Sequence, residues 1–318
     1  MRQNLTEILT SSQLLITDGA AGTHLEAMGC DLNDDLWTAK VLKDNPELIK
    51  QLHRDYFQAG ADFGVTVSYQ ATIAGYMSKG LSKLEAEELI KASASLLIEA
   101  REEWWQSEGK AQNRRYPITA ASIGPYGAFL ADGSEYRGDY ELSKDELRQF
   151  HQQRIEILWN QGIDLIAAET IPRLDEALVI AEIVQELDAK CWISFSARNE
   201  TEICNGQDIS PCIQALEAFD SVVAVGVNCT APQYIGSLVI KMKAQTEKPI
   251  VVYGNLGNSY DANTKVWCDH GKGGVTTSYL DYAQSWQQLG AQIIGGCCGT
   301  TPSEIKEISS HVCASKGS

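Results

Sequence analysis

Gly162-Ile163-Asp164-Leu165-Ile166-Ala167-Ala168-Glu169-Thr170 places a glycine, a short step, an unbroken apolar run and then a carboxylate in direct succession. Glycine closes helices because it accepts a left-handed residue without a Cβ clash. Leu165-Ile166-Ala167-Ala168 is too short to be a helix and does not alternate apolar with polar. It therefore predicts a strand buried on both faces, the pattern of a parallel sheet. The unit recurs as Gly60-Ala61-Asp62 before Phe63-Gly64-Val65-Thr66-Val67, and as Gly290-Ala291 before Gln292-Ile293-Ile294-Gly295. A helix, a glycine and a strand form the repeating module.

Working outward, five more runs of the same kind bring the count to eight: Leu14-Leu15-Ile16-Thr17-Asp18, Ile118-Thr119-Ala120-Ala121-Ser122, Trp192-Ile193-Ser194-Phe195-Ser196, Ala224-Val225-Gly226-Val227-Asn228 and Ile250-Val251-Val252-Tyr253. Amphipathic segments lie between them. Asn45-Pro46 opens one in which Leu48, Ile49, Leu52, Tyr56 and Phe57 share a face and Gly60 ends it. Ser82-x-x-Glu85 and Ser143-x-x-Glu146 are capping boxes that open two more. No Pro/Ser-rich linker divides the chain. The pattern predicts an α/β fold, a single-domain (β/α)8 TIM barrel over residues 1–318, with a doubly wound parallel sheet as the alternative.

Composition narrows the function classes. The chain of 318 residues is 44% hydrophobic and carries a formal net charge of -16. With no basic block to offset that charge, neither nucleic acid nor an anionic membrane surface is expected as a partner. Small-molecule substrates are expected instead, and no oligomeric state is specified. No run approaches the length of a membrane span and the N-terminus has no signal-peptide core, so a cytoplasmic location is expected. Nine cysteines spread through such a chain read as reduced thiols, some buried and some ligating. There is no Gly-x-Gly-x-x-Gly after a strand, no P-loop and no nucleophile elbow at Ser122-Ile123-Gly124.

In a barrel the C-terminal ends of the strands converge on one mouth. Here those ends carry Asp18, Ser68-Tyr69-Gln70, Glu169-Thr170, Asn228-Cys229 and Cys297-Cys298. Adjacent cysteines on a strand point to opposite faces, so Cys297 and Cys298 reach one centre only if the backbone bends. Gly295, Gly296 and Gly299 permit that bend. Thr301-x-x-Glu304, with Pro302 first, opens a helix just beyond, and a helix N-terminus favours thiolate. Cys229, Cys297 and Cys298 together suit Zn²⁺ with one position open, as in a catalytic site. A vicinal disulfide is the alternative for the pair, and a turn residue the alternative for Asp18. Glu169, following a buried run, needs a cationic partner, and with Asp18 it suggests an amino acid ligand. Cys30, Cys191, Cys204, Cys212, Cys268 and Cys313 read as core or surface thiols. His24, His53 and His151 read as surface or helix-packing residues.

These residues resemble the zinc-dependent homocysteine S-methyltransferase family. Asp18-Gly19, Gly226-Val227-Asn228-Cys229 and Gly295-Gly296-Cys297-Cys298-Gly299 match its motifs, and the resemblance spans essentially the whole chain. It implies that Cys229, Cys297 and Cys298 bind zinc. It also implies that Asp18 and Glu169 hold the amino acid part of homocysteine and that Ser68 lies near its carboxylate. Asn228, in the same motif, is placed with the substrate. Ser68-Tyr69-Gln70-Ala71-Thr72 and the loop Ala131-Asp132-Gly133-Ser134-Glu135-Tyr136-Arg137-Gly138-Asp139-Tyr140 are more similar to the S-methylmethionine branch than to the betaine branch. After the tyrosine of strand seven, Gly254, Leu256 and Asn258 depart from the family's pattern, while Asn255, Gly257 and Tyr260 match it.

The expected activity is methyl transfer from a sulfonium donor, S-methylmethionine or S-adenosylmethionine, to homocysteine, giving methionine. Coordination to zinc turns a thiol into a thiolate nucleophile without a protein base. Tyr69, Tyr136 or Trp37 offer an aromatic face to a cationic donor, or simply pack their loops. The alternatives are betaine as donor, a selenol as acceptor, and a non-catalytic zinc or thiol redox sensor.

Overall fold

Eight parallel strands form one sheet: β1 (Leu15–Ile16), β2 (Phe63–Val65), β3 (Ile118–Ile123), β4 (Leu165–Ile171), β5 (Cys191–Phe195), β6 (Val222–Asn228), β7 (Ile250–Gly254) and β8 (Ala291–Gly296). In this computed structural model each strand pairs with its neighbour in sequence, β8 returns to β1, and a parallel bridge between Thr17 and Phe63 joins β1 to β2. The chain is a single-domain (β/α)8 barrel. The structure describes all residues except 1, 2, 4, 10–12, 33–35, 37, 258, 262–265, 269–276 and 315–318, and for residues 6, 259–261 and 266–268 only the backbone.

A helix follows every strand: α1 (Pro46–Ala59), α2 (Lys83–Trp104), α3 (Lys144–Trp159), α4 (Leu174–Glu186), α5 (Ile209–Leu216), α6 (Pro232–Lys243), α7 (Tyr279–Gln288) and α8 (Pro302–Ala314). Both expected capping boxes close, Ser82 with Glu85 and Ser143 with Glu146. The three module glycines all take left-handed φ, 118° at Gly60, 88° at Gly162 and 112° at Gly290, which is why a side chain is absent there. On α1, Ile49, Leu52, Tyr56 and Phe57 are buried as the periodicity predicts, Leu48 only partly. His53 and His151 are fully packed between elements, and half-buried His24 pairs with Asp55 at 2.8 Å.

The core has two compartments. Helix faces and outward strand residues form one shell, while Leu15, Phe63, Leu165, Trp192, Val251 and Ile293 fill the barrel lumen. Leu5 and Leu9, on a short helix (Leu5–Leu9), join the lumen cluster. Filling the lumen with apolar side chains leaves the polar cavity lining to the C-terminal part of the strands and the loops beyond them. No helix among the described residues is long and apolar enough to cross a membrane. Residues Ser259–Asp261 and Val266–Cys268 form a two-stranded antiparallel ribbon after β7.

Candidate active site

A cavity of about 310 Å³ opens where the C-terminal strand ends converge. Asp18, Glu169, Asn228, Cys229, Cys297 and Cys298 all line it. The three cysteine sulfurs lie within 4.8 Å of one another, a cluster that could hold a metal ion. Cys298 Sγ is 3.6 Å from Cys229 Sγ and 3.9 Å from Cys297 Sγ. Two thiolates on one tetrahedral zinc stand about 3.8 Å apart, given a Zn–S bond of about 2.3 Å, so the two separations that involve Cys298 fit that ion.

The cysteines reach one point through backbone geometry. β8 ends at Gly296, and Cys297 and Cys298 lie in the turn beyond it, held by Cys297 N–H to Gly254 O at 2.8 Å and Leu256 N–H to Cys298 O at 2.9 Å. The glycines serve different ends. Gly299 is left-handed at φ 86°, whereas Gly295 and Gly296 provide closeness: a Cβ on them would lie 2.2 Å from Thr17 Cγ2 and 2.3 Å from Thr300 Oγ1. Cys229 itself adopts φ 46°, uncommon for a non-glycine residue, and this turns its sulfur toward the pair. Thr301 and Glu304 cap α8 as expected, with Thr301 N–H donating to Glu304 Oε2 at 2.7 Å.

One expectation changes. The sulfurs of Cys229 and Cys297 are in covalent contact, across a Cα–Cα separation of 5.5 Å, so this pair is not two free thiols. The strand ends β6 and β8 are close enough for a disulfide, whose usual Cα–Cα range is about 4.4–6.8 Å. The remaining thiol, Cys298, is buried, and burial pushes it up to about 12. A thiolate there needs a positive partner in direct contact.

Two carboxylates face the same space. Asp18 Oδ2 accepts from Val65 N–H at 2.7 Å and Oδ1 from Thr17 Oγ1 at 3.2 Å. Burial, with a smaller push from nearby Glu169, raises Asp18 to about 8 against these bonds. Glu169 accepts from the Ser122 hydroxyl and from the Tyr253 hydroxyl; burial nevertheless raises it to about 6. The lining holds five carboxylates, Asp18, Glu26, Asp31, Glu135 and Glu169, and no lysine, arginine or histidine among the described residues. A cationic group of a ligand is what such a wall lacks.

The other expected residues are placed differently. Ser68 does not line the cavity: it is fully buried, its hydroxyl 2.6 Å from Thr66 Oγ1 and donating to Ser122 O at 2.7 Å, while Thr66, Tyr69 and Gln70 line it instead. Asn228 lines the cavity, yet its side chain is occupied by Thr170 and Ser194. Tyr69 and Tyr136 line the cavity, and Trp37 lies outside the described residues. Gly254 and Leu256, where the chain departs from the family's pattern, do not line the cavity; their backbones brace the cysteine turn. Asn258 lies outside the described residues.

A family model described as homocysteine S-methyltransferase matches residues 15–312. The chain belongs to the homocysteine S-methyltransferase family. Over 305 residues the enzyme is 48% identical to homocysteine S-methyltransferase YbgG of Bacillus subtilis, covering 96% of each chain. It is 42% identical to the homocysteine S-methyltransferase of Escherichia coli, covering 96% of this chain and 98% of that one. The crystal structure of the homocysteine methyltransferase MmuM from Escherichia coli superposes in its metallated form with a TM-score of 0.85 at 39% identity, covering 96% and 99% of the two chains. Its oxidized form superposes at 0.87 and 38%, covering 98% and 100%.

Sequence reasoning missed several residues of this enzyme's site. Ser122 and Tyr253 position Glu169, and Tyr253 is in turn set by Trp192 Nε1 at 3.2 Å and Ser194 Oγ at 2.8 Å. Their signal was a polar residue inside an otherwise apolar strand. Glu135 lines the cavity from the loop after β3, and Cys30, read as an ordinary thiol, lies at its rim.

Proposed function

We propose that this methyltransferase moves a methyl group from a sulfonium donor, S-methylmethionine or S-adenosylmethionine, to homocysteine, and that Cys229, Cys297 and Cys298 hold a Zn²⁺ ion for that reaction once thiols have reduced the Cys229–Cys297 pair. The observation that carries the reading is the three-sulfur cluster sharing one cavity with Asp18 and Glu169. Zinc, when bound there, would supply the positive charge that keeps the homocysteine sulfur as thiolate. Asp18 and Glu169 receive the α-ammonium, and Ser122 with Tyr253 fixes the orientation of Glu169. The homocysteine thiol proton leaves to solvent. The sulfur lone pair forms the new S–CH₃ bond while the donor's S–CH₃ bond breaks, its electron pair neutralising the sulfonium. No general base is required, and the chain's main contribution is placement, which for well-oriented reactants is worth roughly 7–11 kcal/mol.

The test is methionine formation from homocysteine with S-methylmethionine, S-adenosylmethionine and betaine offered in competition, alongside zinc content. Zinc-loaded protein that makes no methionine from any of them would remove the reading. The Cys229–Cys297 contact supports a second, thiol-redox role of the same cluster. That role predicts that homocysteine leaves the spectrum of a cobalt-substituted site unchanged, whereas an open catalytic position predicts a change.

A further inference from the structure

The segments after β2 and β3 supply a part of the cavity lining that carries none of the cysteines, Asp18 or Glu169; Tyr69, Gln70, Glu135 and Tyr136 belong to it. Three buried side chains outside the cavity hold this wall: Arg154 and His151 on α3, and Glu176 in the first turn of α4. They form a chain. Arg154 Nη2 donates to His151 Nδ1 at 3.2 Å, and because arginine only donates, Nδ1 must accept. The ring proton is then on Nε2, which donates to Glu176 Oε1 at 2.7 Å. Burial holds the His151 pKa below its ordinary value, so a neutral ring lies between Arg154 and Glu176.

The other hydrogen bonds of these three side chains go to the wall. Arg154 Nη2 also donates to Gly124 O at 2.7 Å and Nη1 to Tyr69 O at 3.3 Å, which joins the segment after β3 to the segment after β2. Glu176 accepts from Tyr126 N–H at 2.7 Å and from the Tyr140 hydroxyl, so one carboxylate holds both ends of the stretch that carries Glu135 and Tyr136. Tyr69 is fixed at three points. Arg154 holds its carbonyl, Thr170 bonds its hydroxyl, and its ring lies on Gly124, where a Cβ would come within 2.8 Å of the ring and 2.6 Å of the Tyr69 carbonyl oxygen. The strand end that carries Cys229 is held separately, through Asn228 with Thr170 and Ser194.

We propose that Arg154 is a positioning residue for methyl transfer, setting the cavity wall at Tyr69 directly and at the Glu135–Tyr136 stretch through His151 and Glu176. This rests on the methyl-transfer reading above. Stability alone does not call for such a cluster, since well-packed apolar residues often replace a buried ion pair without loss. Two carbonyls on different segments need two donors at a fixed spacing, which a planar guanidinium supplies and the single nitrogen of lysine does not. With Asp18, Glu169 and the cysteines proposed for homocysteine, this wall is what remains to the second reactant. A misplacement of about 1 Å can cost about 100-fold in a reaction that depends on near-attack geometry.

The zinc-loaded full-length protein is compared with Arg154→Lys, Gly124→Ala, the double variant and Tyr140→Phe. Arg154→Lys keeps a charge to balance Glu176 and removes the fork, whereas Gly124→Ala leaves the buried cluster whole and pushes Tyr69 directly. Zinc content and the homocysteine-induced change in the spectrum of the cobalt-substituted site are read first. Steady-state transfer with the better of S-methylmethionine and S-adenosylmethionine follows. Both single variants should keep zinc and the homocysteine response, with homocysteine KM within about twofold, while kcat/KM for the donor falls about 10- to 100-fold. The double variant should lose clearly less than the product of the two single losses, because both act through Tyr69. Tyr140→Phe, which removes one wall bond and leaves Arg154, His151 and Glu176 in place, should show a smaller loss of the same kind and carries the test if Arg154→Lys does not fold. Donor kinetics unchanged in Arg154→Lys, or in Tyr140→Phe where it stands in, would overturn the positioning role. So would zinc and homocysteine response lost in step with donor kinetics, or single losses that simply multiply. An unaltered protein that forms no methionine with either donor would instead overturn the reaction, and this role with it.

Discussion

Asn228 and Thr170 are clasped by two hydrogen bonds between β6 and β4: Thr170 N–H donates to Asn228 Oδ1 at 2.7 Å, and Asn228 Nδ2 donates to Thr170 Oγ1 at 2.8 Å. Both Thr170, at φ 59°, and Cys229, next to Asn228, hold left-handed backbone that costs about 1–3 kcal/mol away from glycine. The clasp holds one of these strained residues directly and anchors the strand end that carries the other. Ser194 Oγ donates to the same Asn228 oxygen at 2.6 Å, tying β5 into the arrangement.

Asn228→Ala should therefore act on stability before chemistry. It strands the Thr170 N–H in the interior, a loss on the order of 2–3 kcal/mol. Denaturant unfolding should show it, together with a lower metal content, because Cys229 loses its support. A variant as stable as the parent would mean that the strand ends hold themselves.

The cysteines should behave in the opposite way. Cys298→Ser and Cys297→Ala remove two of the three proposed zinc ligands at the mouth and leave the lumen packing of Leu15, Phe63, Trp192 and Ile293 untouched. Circular dichroism should stay that of a folded barrel while bound zinc and methyl transfer are lost. Normal turnover by either variant would remove the metal from the mechanism.

These effects trace back to what the sequence can and cannot encode visibly. All eight strands were legible because burial on both faces favours short, mostly apolar runs, and Gly60, Gly162 and Gly290 were legible because left-handed helix ends favour glycine. Strand ends were less so: β4 runs on to Ile171, which pairs with Phe195 after a register shift, so Glu169 lies within the strand and not after it. Ser68 was misplaced for a related reason. It lies beyond β2 in a turn closed by Ala71 N–H to Ser68 O at 3.0 Å, and its hydroxyl folds back onto Ser122 O. Glu135 was present in a quoted loop, yet nothing local marks it; its unpartnered oxygen is a tertiary fact.

Glu169→Gln tests the acceptor side. Gln keeps the size and can still accept from Ser122, but no longer offers a charge to an ammonium. Homocysteine KM should rise about tenfold or more with kcat changed much less, since the lost interaction is present in ground and transition states alike. An unchanged KM would make Glu169 a structural partner of Ser122 and Tyr253 only.

Asp18 and Glu169 also set a pH dependence that can be read with methionine, which carries the same α-ammonium and no thiol to ionise. Without ligand, burial raises Asp18 to about 8 and Glu169 to about 6, each held up with no lysine, arginine or histidine among the described residues lining the cavity. The charged groups that face them there are Glu26, Asp31 and Glu135, all of like sign. An ammonium binds the ionised forms, so methionine affinity should fall as pH drops from about 8.5 to about 5.5, by up to about tenfold for each proton that must be displaced per pH unit. The sign for folding is the reverse. A carboxyl raised in the folded state binds a proton that the unfolded chain has released, so these two groups reduce the stability of the ligand-free protein as pH rises from about 4 toward about 8. Saturating methionine should therefore raise the thermal midpoint more at pH 8 than at pH 6. Calorimetric affinities that are flat across this range, in the native protein and in Asp18→Asn alike, would show that the ammonium is held elsewhere.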